Sequence, residues 1–341
     1  MDTRHPTPAL LGSVEFAADA LTREHPPRFR NDNKRLVHAI ACPEGATHRG
    51  AIRCTRWRAL SLSPLAWPGS RCELEVHEGV FDYGAESESR GVPWTMNFAH
   101  SDLFCAYGGH PFAQDEIQVA EHPALASLRE ALLARLMGPG DATDELLPCT
   151  VAAGQPTPVL IAGVERRCVV ETDINPERGR PLGLYGRRFA RAPADAVRQA
   201  TTRLEPPTVS NILAMEAPAC LHGPYSEDQL EFILQTAITG FAAARASSAP
   251  SATTIHTGFW GCGAYGGDRT LMAMLQLIAA DVAGVDRVVF HTVDRAGGVP
   301  LKRAHAVLET LAGALGSGVP LPELAACVAQ MGFRWGVSDG N

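Results

Sequence analysis

A glycine-rich segment near the end of the chain sets the strongest limit on its fold: five glycines fall within GFWGCGAYGGD, residues 258–268. A strand is predicted just before the segment, over residues 254–257, and a helix just after it, over residues 269–283. Glycines let a backbone approach a ligand closely, and the first turn of a helix offers unpaired N–H groups to an anion. The segment therefore predicts a loop that holds a phosphate or a sugar in an α/β fold.

Two other interpretations of this loop stay open. Gly261, Gly263 and Gly266 have the GxGxxG spacing of a dinucleotide-binding fold, and Asp286 lies 20 residues after Gly266. That fingerprint normally opens a domain, whereas only 75 residues follow Gly266 in this chain. A nicotinamide-dependent oxidoreductase is therefore a less favoured function, and an ordinary structural turn is the other alternative.

A second glycine loop lies earlier in the chain. A strand predicted over residues 93–99 runs into a loop that holds Gly108 and Gly109 and leads into a helix beginning with Asp115 and Glu116. A glycine pair followed by acids can hold a diphosphate on backbone N–H groups and present a carboxylic acid to the adjoining sugar. Neighbouring helical residues point about 100° apart, so at most one of the acids reaches a given atom. The alternative is that the helix dipole alone favours both acids.

The remaining chain alternates predicted strands and helices, which indicates an α/β layer structure. These further elements are predicted over residues 114–122, 124–137, 159–164, 211–217, 232–244 and 287–292, with a surface loop over 171–193. Residues 1–70 show little periodicity, apart from a short helix predicted over residues 10–21. We therefore divide the chain into an N-terminal accessory segment, residues 1–70, and a catalytic domain, residues 71–341.

Composition and simple motifs exclude several classes of protein. The formal charge of −7 argues against non-specific coating of nucleic acid, which depends on clustered Lys and Arg. The nine cysteines include no CxxC pair, so we expect reduced thiols in a cytoplasmic protein rather than a zinc ribbon or a disulfide framework. The longest apolar stretch, residues 271–280, is interrupted by Gln276 and is too short to cross a membrane. The sequence contains no HExxH or GxSxG motif, which disfavours a zinc protease or a serine hydrolase.

Three motifs, in the same order along the chain, resemble those of poly(ADP-ribose) glycohydrolases. Asn97-Phe98-Ala99-His100, the glycine pair and Gln114-Asp115-Glu116-Ile117 resemble the first signature, in which an acid or Asn before Phe-Ala leads through three glycines to Gln-Glu-Glu-Ile. Residues 257–268 match ten of the twelve positions of the second, Thr-Gly-Asn-Trp-Gly-Cys-Gly-Ala-Phe-Gly-Gly-Asp. Residues 212–217 are similar to the family's Val-Ala-Ile-Asp-Ala strand. The resemblance covers roughly residues 72–310.

This resemblance implies a macrodomain: a three-layer α/β/α sandwich with a mixed sheet and ADP-ribose, or an ADP-ribosylated substrate, in a cleft at the strand ends. It implies an ADP-ribosyl glycohydrolase without cofactor or metal, with Glu116 as the catalytic acid and Asp115 as its companion near the ribose hydroxyls. It also implies substrate contacts from Asn97, Phe98, His100, Gly108, Gly109, Gln114, Gly261, Cys262, Gly263, Ala264, Tyr265 and Gly266. The two glycines of the first loop would contact the diphosphate, and the second loop would close over the phosphates and the distal ribose.

The sequence departs from the family pattern around the ribose that would be cleaved. Tyr107 and His110 flank the glycine pair where the family has a third glycine, and only four residues separate the pair from Gln114 instead of about six to eight. The first acid of the pair is an aspartate, and His100 replaces the usual Asn. Tyr185 is the candidate for the family's adenine-side tyrosine. A macrodomain that binds ADP-ribose without hydrolysing it is therefore the alternative function.

Overall fold

The computed structural model describes residues 5–83, 91–137, 146–218 and 222–340. Its strands, numbered in chain order, are β1 Leu10–Ala17, β2 Ala51–Trp57, β3 Ala66–Trp67, β4 Glu73–His77, β5 Val92–Ala99, β6 Val151–Ala152, β7 Gln155–Pro156, β8 Val159–Val170, β9 Thr201–Glu216, β10 Thr253–Thr257, β11 Arg287–His291 and β12 Val319–Pro320. Its α-helices are α1 Ala18–Glu24, α2 Asp32–Ala41, α3 Gln114–Glu121, α4 Ala124–Met137, α5 Ala194–Ala200, α6 Glu227–Ser248, α7 Arg269–Ala283, α8 Gly298–Leu315 and α9 Leu321–Gln330.

Eight of these strands form one mixed sheet in the order β1-β2-β8-β9-β5-β10-β11-β4. The five strands from β9 to β4 are parallel to one another, whereas β1, β2 and β8 pair antiparallel with their neighbours. The carboxyl ends of β5, β9 and β10 therefore meet at the same edge of the sheet. The predicted mixed α/β architecture is confirmed.

The sheet lies between two helical layers, and alternate residues of β9 show both faces. Leu213 and Met215 pack into the core that holds α6 and α7, whereas Ile212 and Ala214 pack into the core that holds α1 and α4. This alternation follows from the two-residue period of a strand, and it gives the three layers that the family resemblance implies.

Capping residues set the ends of some helices at the positions that the sequence predicts. The helix predicted over residues 269–283 is confirmed as α7: Asp268 caps its first turn by accepting from the Leu271 N–H at 2.8 Å, and Gly284 ends it with φ 70°. The predicted helix over 124–137 and the strand that ends at Ala99 are also confirmed.

The helix predicted over residues 10–21 is wrong in its first part. Residues 10–17 form β1, which pairs antiparallel with β2, and α1 begins only at Ala18. The exposed and half-buried positions of β1 alternate, as expected for an edge strand whose partner lies about 40 residues away. Both strands belong to the main sheet, so residues 1–70 contribute to the same layer as the rest of the chain; their separate role as an accessory segment stays a prediction.

The predicted surface loop contains short helices. The segment 171–193 contains two 3-10 helices, Pro176–Arg178 and Gly186–Arg191. The second of them buries Phe189, which stacks on Phe112 with 3.7 Å between the ring centroids.

Within the described ranges, no helix has the length and hydropathy needed to span a membrane.

Candidate functional site

The two glycine loops converge because they follow adjacent parallel strands. The first loop follows β5 at Ala99, and the second follows β10 at Thr257. A Cβ placed on Gly258 would lie 3.6 Å from the Phe98 ring, so the two loops touch at their bases.

Glu216, the last residue of β9, joins the two loops. Its Oε1 accepts from the Ser101 N–H in the first loop at 2.9 Å and from the Tyr265 hydroxyl in the second loop at 3.5 Å. Sequence reasoning did not include Glu216 among the site residues, although it occupies the acidic position of the third family-like motif. Its place at a strand end was the signal that could have found it.

The carboxylate pair lies in the first turn of α3, and both side chains are buried, at 8% exposure for Asp115 and 7% for Glu116. Asn97 Nδ2 donates to Asp115 Oδ1 at 3.1 Å, and the Ala113 N–H donates to Glu116 Oε2 at 2.8 Å. Burial, reinforced by the charge of Glu116, raises the pKa of Asp115 to about 7, while Asn97 and Lys34 oppose the shift. One carboxyl of the pair is thus poised to hold a proton near neutral pH.

Gln114 connects α3 to β5. Its Oε1 accepts from the Phe98 N–H at 2.7 Å, and its Nε2 donates to Met96 O at 3.2 Å. These two bonds hold the start of α3, and with it the carboxylate pair, against the end of the strand. The side chain therefore has a clear positioning role, and the substrate contact inferred from the family stays a prediction.

The glycine pair of the first loop packs against an N-terminal segment. Gly108 O accepts from the N–H groups of Arg30 and Asn31 at 2.8 and 3.1 Å, and a Cβ on Gly108 would lie only 2.3 Å from Arg28 O. The Gly109 N–H donates to Ala106 O at 2.9 Å, inside the turn. The structure thus explains this pair by close packing, and the predicted diphosphate contact stays a prediction.

Lys34, in α2, is a buried cation beside the same loop. The residue is 2% exposed, its Nζ donates to Ala106 O at 3.0 Å, and it lies 5.8 Å from the centre of the Phe112 ring. Burial lowers the pKa of Lys34 to about 8, against the opposing charges of Glu116 and Asp115. No local sequence pattern marks this lysine, because α2 is brought to the loop only by the tertiary fold.

The second glycine loop is fixed from two sides. The Trp260 indole N–H donates to Met215 O at 3.1 Å, and Gly261, with φ 73°, would bring a Cβ to 2.5 Å from Ala217. On the outer side, Gly266 O accepts from the Gly336 N–H at 2.7 Å, and Gly263 O accepts from the Asp339 N–H at 3.3 Å. Ala264, between these glycines, belongs to the same turn.

Two tyrosines lie between the loops. Tyr265, which is partly buried, is close enough to Asp115 and Glu216 for their charges to add to burial in raising its pKa. The Tyr185 hydroxyl bonds to the backbone of Gln114 and lies 3.9 Å from a Cβ placed on Gly263. Tyr185 thus reaches both loops, and its role at adenine stays a prediction.

Two further predicted contact residues have ordinary surroundings. His100 is exposed, and its Nδ1 accepts from the Asp102 N–H at 3.0 Å. Burial raises the pKa of the Cys262 thiol, which favours a packing role over a reactive thiolate. Within the described part of the chain, no group of three or more His, Cys, Asp or Glu side chains is arranged to hold a metal ion.

The dinucleotide-binding interpretation of the second loop is wrong. Asp286 lies at the start of β11, and its Oδ2 accepts from the N–H of Thr253 at the start of β10, at 2.7 Å. The loop follows the other end of β10, so Asp286 is at the opposite edge of the sheet and cannot bind a ribose held by Gly261 to Gly266.

Comparison with known proteins agrees with this geometry. Residues 185–297 match the family model described as poly(ADP-ribose) glycohydrolase (PARG), macro domain fold. Over these residues the chain is similar to the macro domain of the PARG family. The matched third of the chain includes Tyr185, the end of β9 and the whole second glycine loop, so the predicted family and fold are confirmed there. The first glycine loop and the carboxylate pair lie outside the match.

The chain is also similar to solved structures. The PARG of Thermomonospora curvata has a TM-score of 0.46 at 19% identity and covers 81% of this chain and 99% of its own. The PARG of Deinococcus radiodurans, in complex with ADP-ribose, has a TM-score of 0.40 at 15% identity and covers 88% and 95%. No curated protein matches the sequence.

Proposed function

We propose that this protein is an ADP-ribosyl glycohydrolase, which hydrolyses the ribosyl glycosidic bond of poly- or mono-ADP-ribose and releases ADP-ribose. The observation that supports it most is the position of Asp115 and Glu116, a buried carboxyl pair at the point where two glycine loops meet. The family match over residues 185–297 supports ADP-ribose as the ligand.

The chemistry of the bond assigns roles to the pair. A glycosidic bond breaks through an oxocarbenium-like transition state, so the leaving oxygen needs a proton and a water must attack the sugar. The Ala113 N–H holds Glu116 Oε2, and Oε1, which has no hydrogen-bond partner among the residues that the structure describes, would be the atom that donates to the leaving oxygen. Asp115, with a pKa raised to about 7, can share a proton with Glu116 and orient the attacking water or a ribose hydroxyl.

Binding of the rest of the ligand would position the sugar. The second glycine loop would hold the phosphates and the distal ribose, with Tyr265 and Tyr185 at the sides of the cleft. Interactions with these remote groups can supply the energy that strains the reacting ribose and excludes water from it. No step of this mechanism needs a metal or an organic cofactor.

Replacing Glu116 with Gln tests the proposal. Purified wild-type and Glu116→Gln protein would be incubated with ADP-ribosylated protein and with polymer, and free ADP-ribose would be measured. We expect loss of at least about 100-fold in turnover, the usual contribution of a general acid, with ADP-ribose affinity kept. Glu309→Gln, an exposed change on α8, is the matched control and should be unaffected.

Two outcomes would contradict parts of this proposal. Equal turnover by Glu116→Gln and the wild-type protein would show that another group is the acid. ADP-ribose binding by the wild-type protein without any release would favour the alternative, a macrodomain that only binds its ligand.

The cysteines and the net charge bear on the cellular setting. The eight cysteines that the structure describes are free thiols, which supports the cytoplasmic location expected from the sequence. The net charge of −7 supports the expectation that the protein does not coat nucleic acid.

A further inference from the structure

Arg30 places a positive charge directly against the first glycine loop. Its backbone N–H donates to Gly108 O at 2.8 Å, which fixes the residue beside the glycine pair. Its guanidinium Nη2 lies 3.7 Å from the position that a Cβ on Gly109 would take. The exposed guanidinium of Arg30 therefore lies beside the buried Gly109.

The charge of Arg30 is not neutralised by the protein. The side chain is exposed, and among the residues that the structure describes it has neither an ion-pair partner within 4.0 Å nor a hydrogen-bond partner for its guanidinium. The neighbouring arginines differ: Arg28 pairs with Glu130 at 3.1 Å, and Arg35 pairs with Asp32. Arg30 is thus free to bind an anion from outside the protein.

A cation beside the glycine pair can supply a phosphate contact that the Gly109 amide does not offer. The Gly109 N–H is already bonded to Ala106 O, which also accepts from Lys34 Nζ, so this amide is not free to bind a phosphate. Lys34 adds a second positive charge on the buried side of the loop. The loop therefore lies between two cations from residues 30–34, in a chain whose net charge is −7.

We infer that Arg30 binds a phosphate of the ligand's diphosphate beside the glycine pair. This inference rests on the proposed function and on the predicted contact between the diphosphate and the first glycine pair. A guanidinium suits the contact because its N–H groups bond two phosphate oxygens at once. Residues 1–70, to which the sequence assigned no binding role, then supply a ligand-specificity residue.

Binding measurements on side-chain variants test this role. Calorimetry would compare the wild-type protein with Arg30→Gln, Arg30→Lys and Arg35→Gln, using ADP-ribose, ADP and adenosine as ligands. We expect Arg30→Gln to raise the Kd for ADP-ribose and for ADP about 10-fold, as for the loss of a charge-assisted hydrogen bond. Its affinity for adenosine should not change, and Arg30→Lys should recover part of the loss. The Arg30 backbone bond to Gly108 is kept in each case.

Arg35→Gln is the matched control, since it lies in the same segment, changes the net charge equally and removes a bond to Phe29 O. It should leave the affinity for ADP-ribose within about twofold of the wild-type value. Equal losses in Arg30→Gln and Arg35→Gln, or an equal loss for adenosine, would overturn the inference while the proposed function stands. Failure of the wild-type protein to bind ADP-ribose would overturn the proposed function and this inference with it. The salt dependence of ADP binding should also weaken in Arg30→Gln alone.

Discussion

Gly108→Ala should separate residues 28–31 from the first glycine loop. A Cβ at this position would lie 2.3 Å from Arg28 O, whereas ordinary contacts of a Cβ begin near 3.4 Å. The backbone of Arg28 would therefore have to move by about 1 Å. Gly108 has no positive φ, so alanine is opposed by this contact and not by its own backbone conformation.

The expected loss of stability follows from the bonds that this movement strains. The two N–H groups that Gly108 O accepts, from Arg30 and Asn31, contribute about 1 kcal/mol each. Overpacking against a backbone atom adds about 1–3 kcal/mol if the segment does not move away. A net loss of about 3 kcal/mol lowers the Tm by roughly 4 °C for a chain of this size.

Thermal unfolding and amide hydrogen exchange measure the two effects separately. Gly108→Ala should lower the Tm and remove exchange protection at Arg30 and Asn31, with protection of the central strands largely kept. Gly313→Ala is the control: this glycine lies exposed inside α8 with no atom within 4 Å of its added Cβ, so it should stabilise the protein by up to about 1 kcal/mol. Wild-type stability and protection in Gly108→Ala would refute the packing role assigned to this glycine.

Two further predictions concern the groups around the reacting sugar. Because the pKa of Asp115 is raised to about 7 in the folded protein from an ordinary value of 3.8, the native state binds more protons than the unfolded state between these values. The free energy of unfolding should then fall as the pH rises from about 4 to 7, and denaturant titrations should show a flatter profile for Asp115→Asn; an equally steep profile would contradict this. Glu216→Ala removes the acceptor that Ser101 and Tyr265 share. The kcat/KM for ADP-ribose release should therefore fall about 10-fold, roughly the effect of one lost hydrogen bond to a charged group. Glu216→Gln should keep most of the activity. Equal activities of the two variants would show that the link between the loops is not needed.

Much of the central fold was predictable because its signals are local. Asp268 and Gly284 mark both ends of α7, and a short apolar run ending in Asn-Phe-Ala marks β5. The second glycine loop was also recognisable, since its glycines serve turns and close approaches within a few residues of each other. Its partner at Ala217 belongs to the third motif that the sequence analysis had already selected.

The rest depended on contacts that a local pattern does not contain. Gly108 is a glycine because of Arg28, which lies 80 residues earlier in the chain. Lys34 and Arg30 reach the site because α2 packs beside the loop, and neither differs in its sequence context from a solvent-exposed cation. The strand β1 was mistaken for a helix because its pairing with β2, and not its own residues, decides its conformation.

The attachment of residues 28–31 and 336–339 to the outer sides of the two loops has a consequence for how the protein loses activity. The second segment is joined to its loop by the Gly336 and Asp339 N–H groups. The first is held by backbone bonds to Gly108 and by the Arg28–Glu130 ion pair, and neither segment takes part in pairing of the eight-stranded sheet. A local fluctuation can detach either segment from its loop while the sheet stays intact. Its free energy is well below that of global unfolding. As the temperature rises, ligand affinity should therefore fall before circular dichroism shows any loss of secondary structure. Bound ligand should bring the temperature at which binding is lost closer to the Tm.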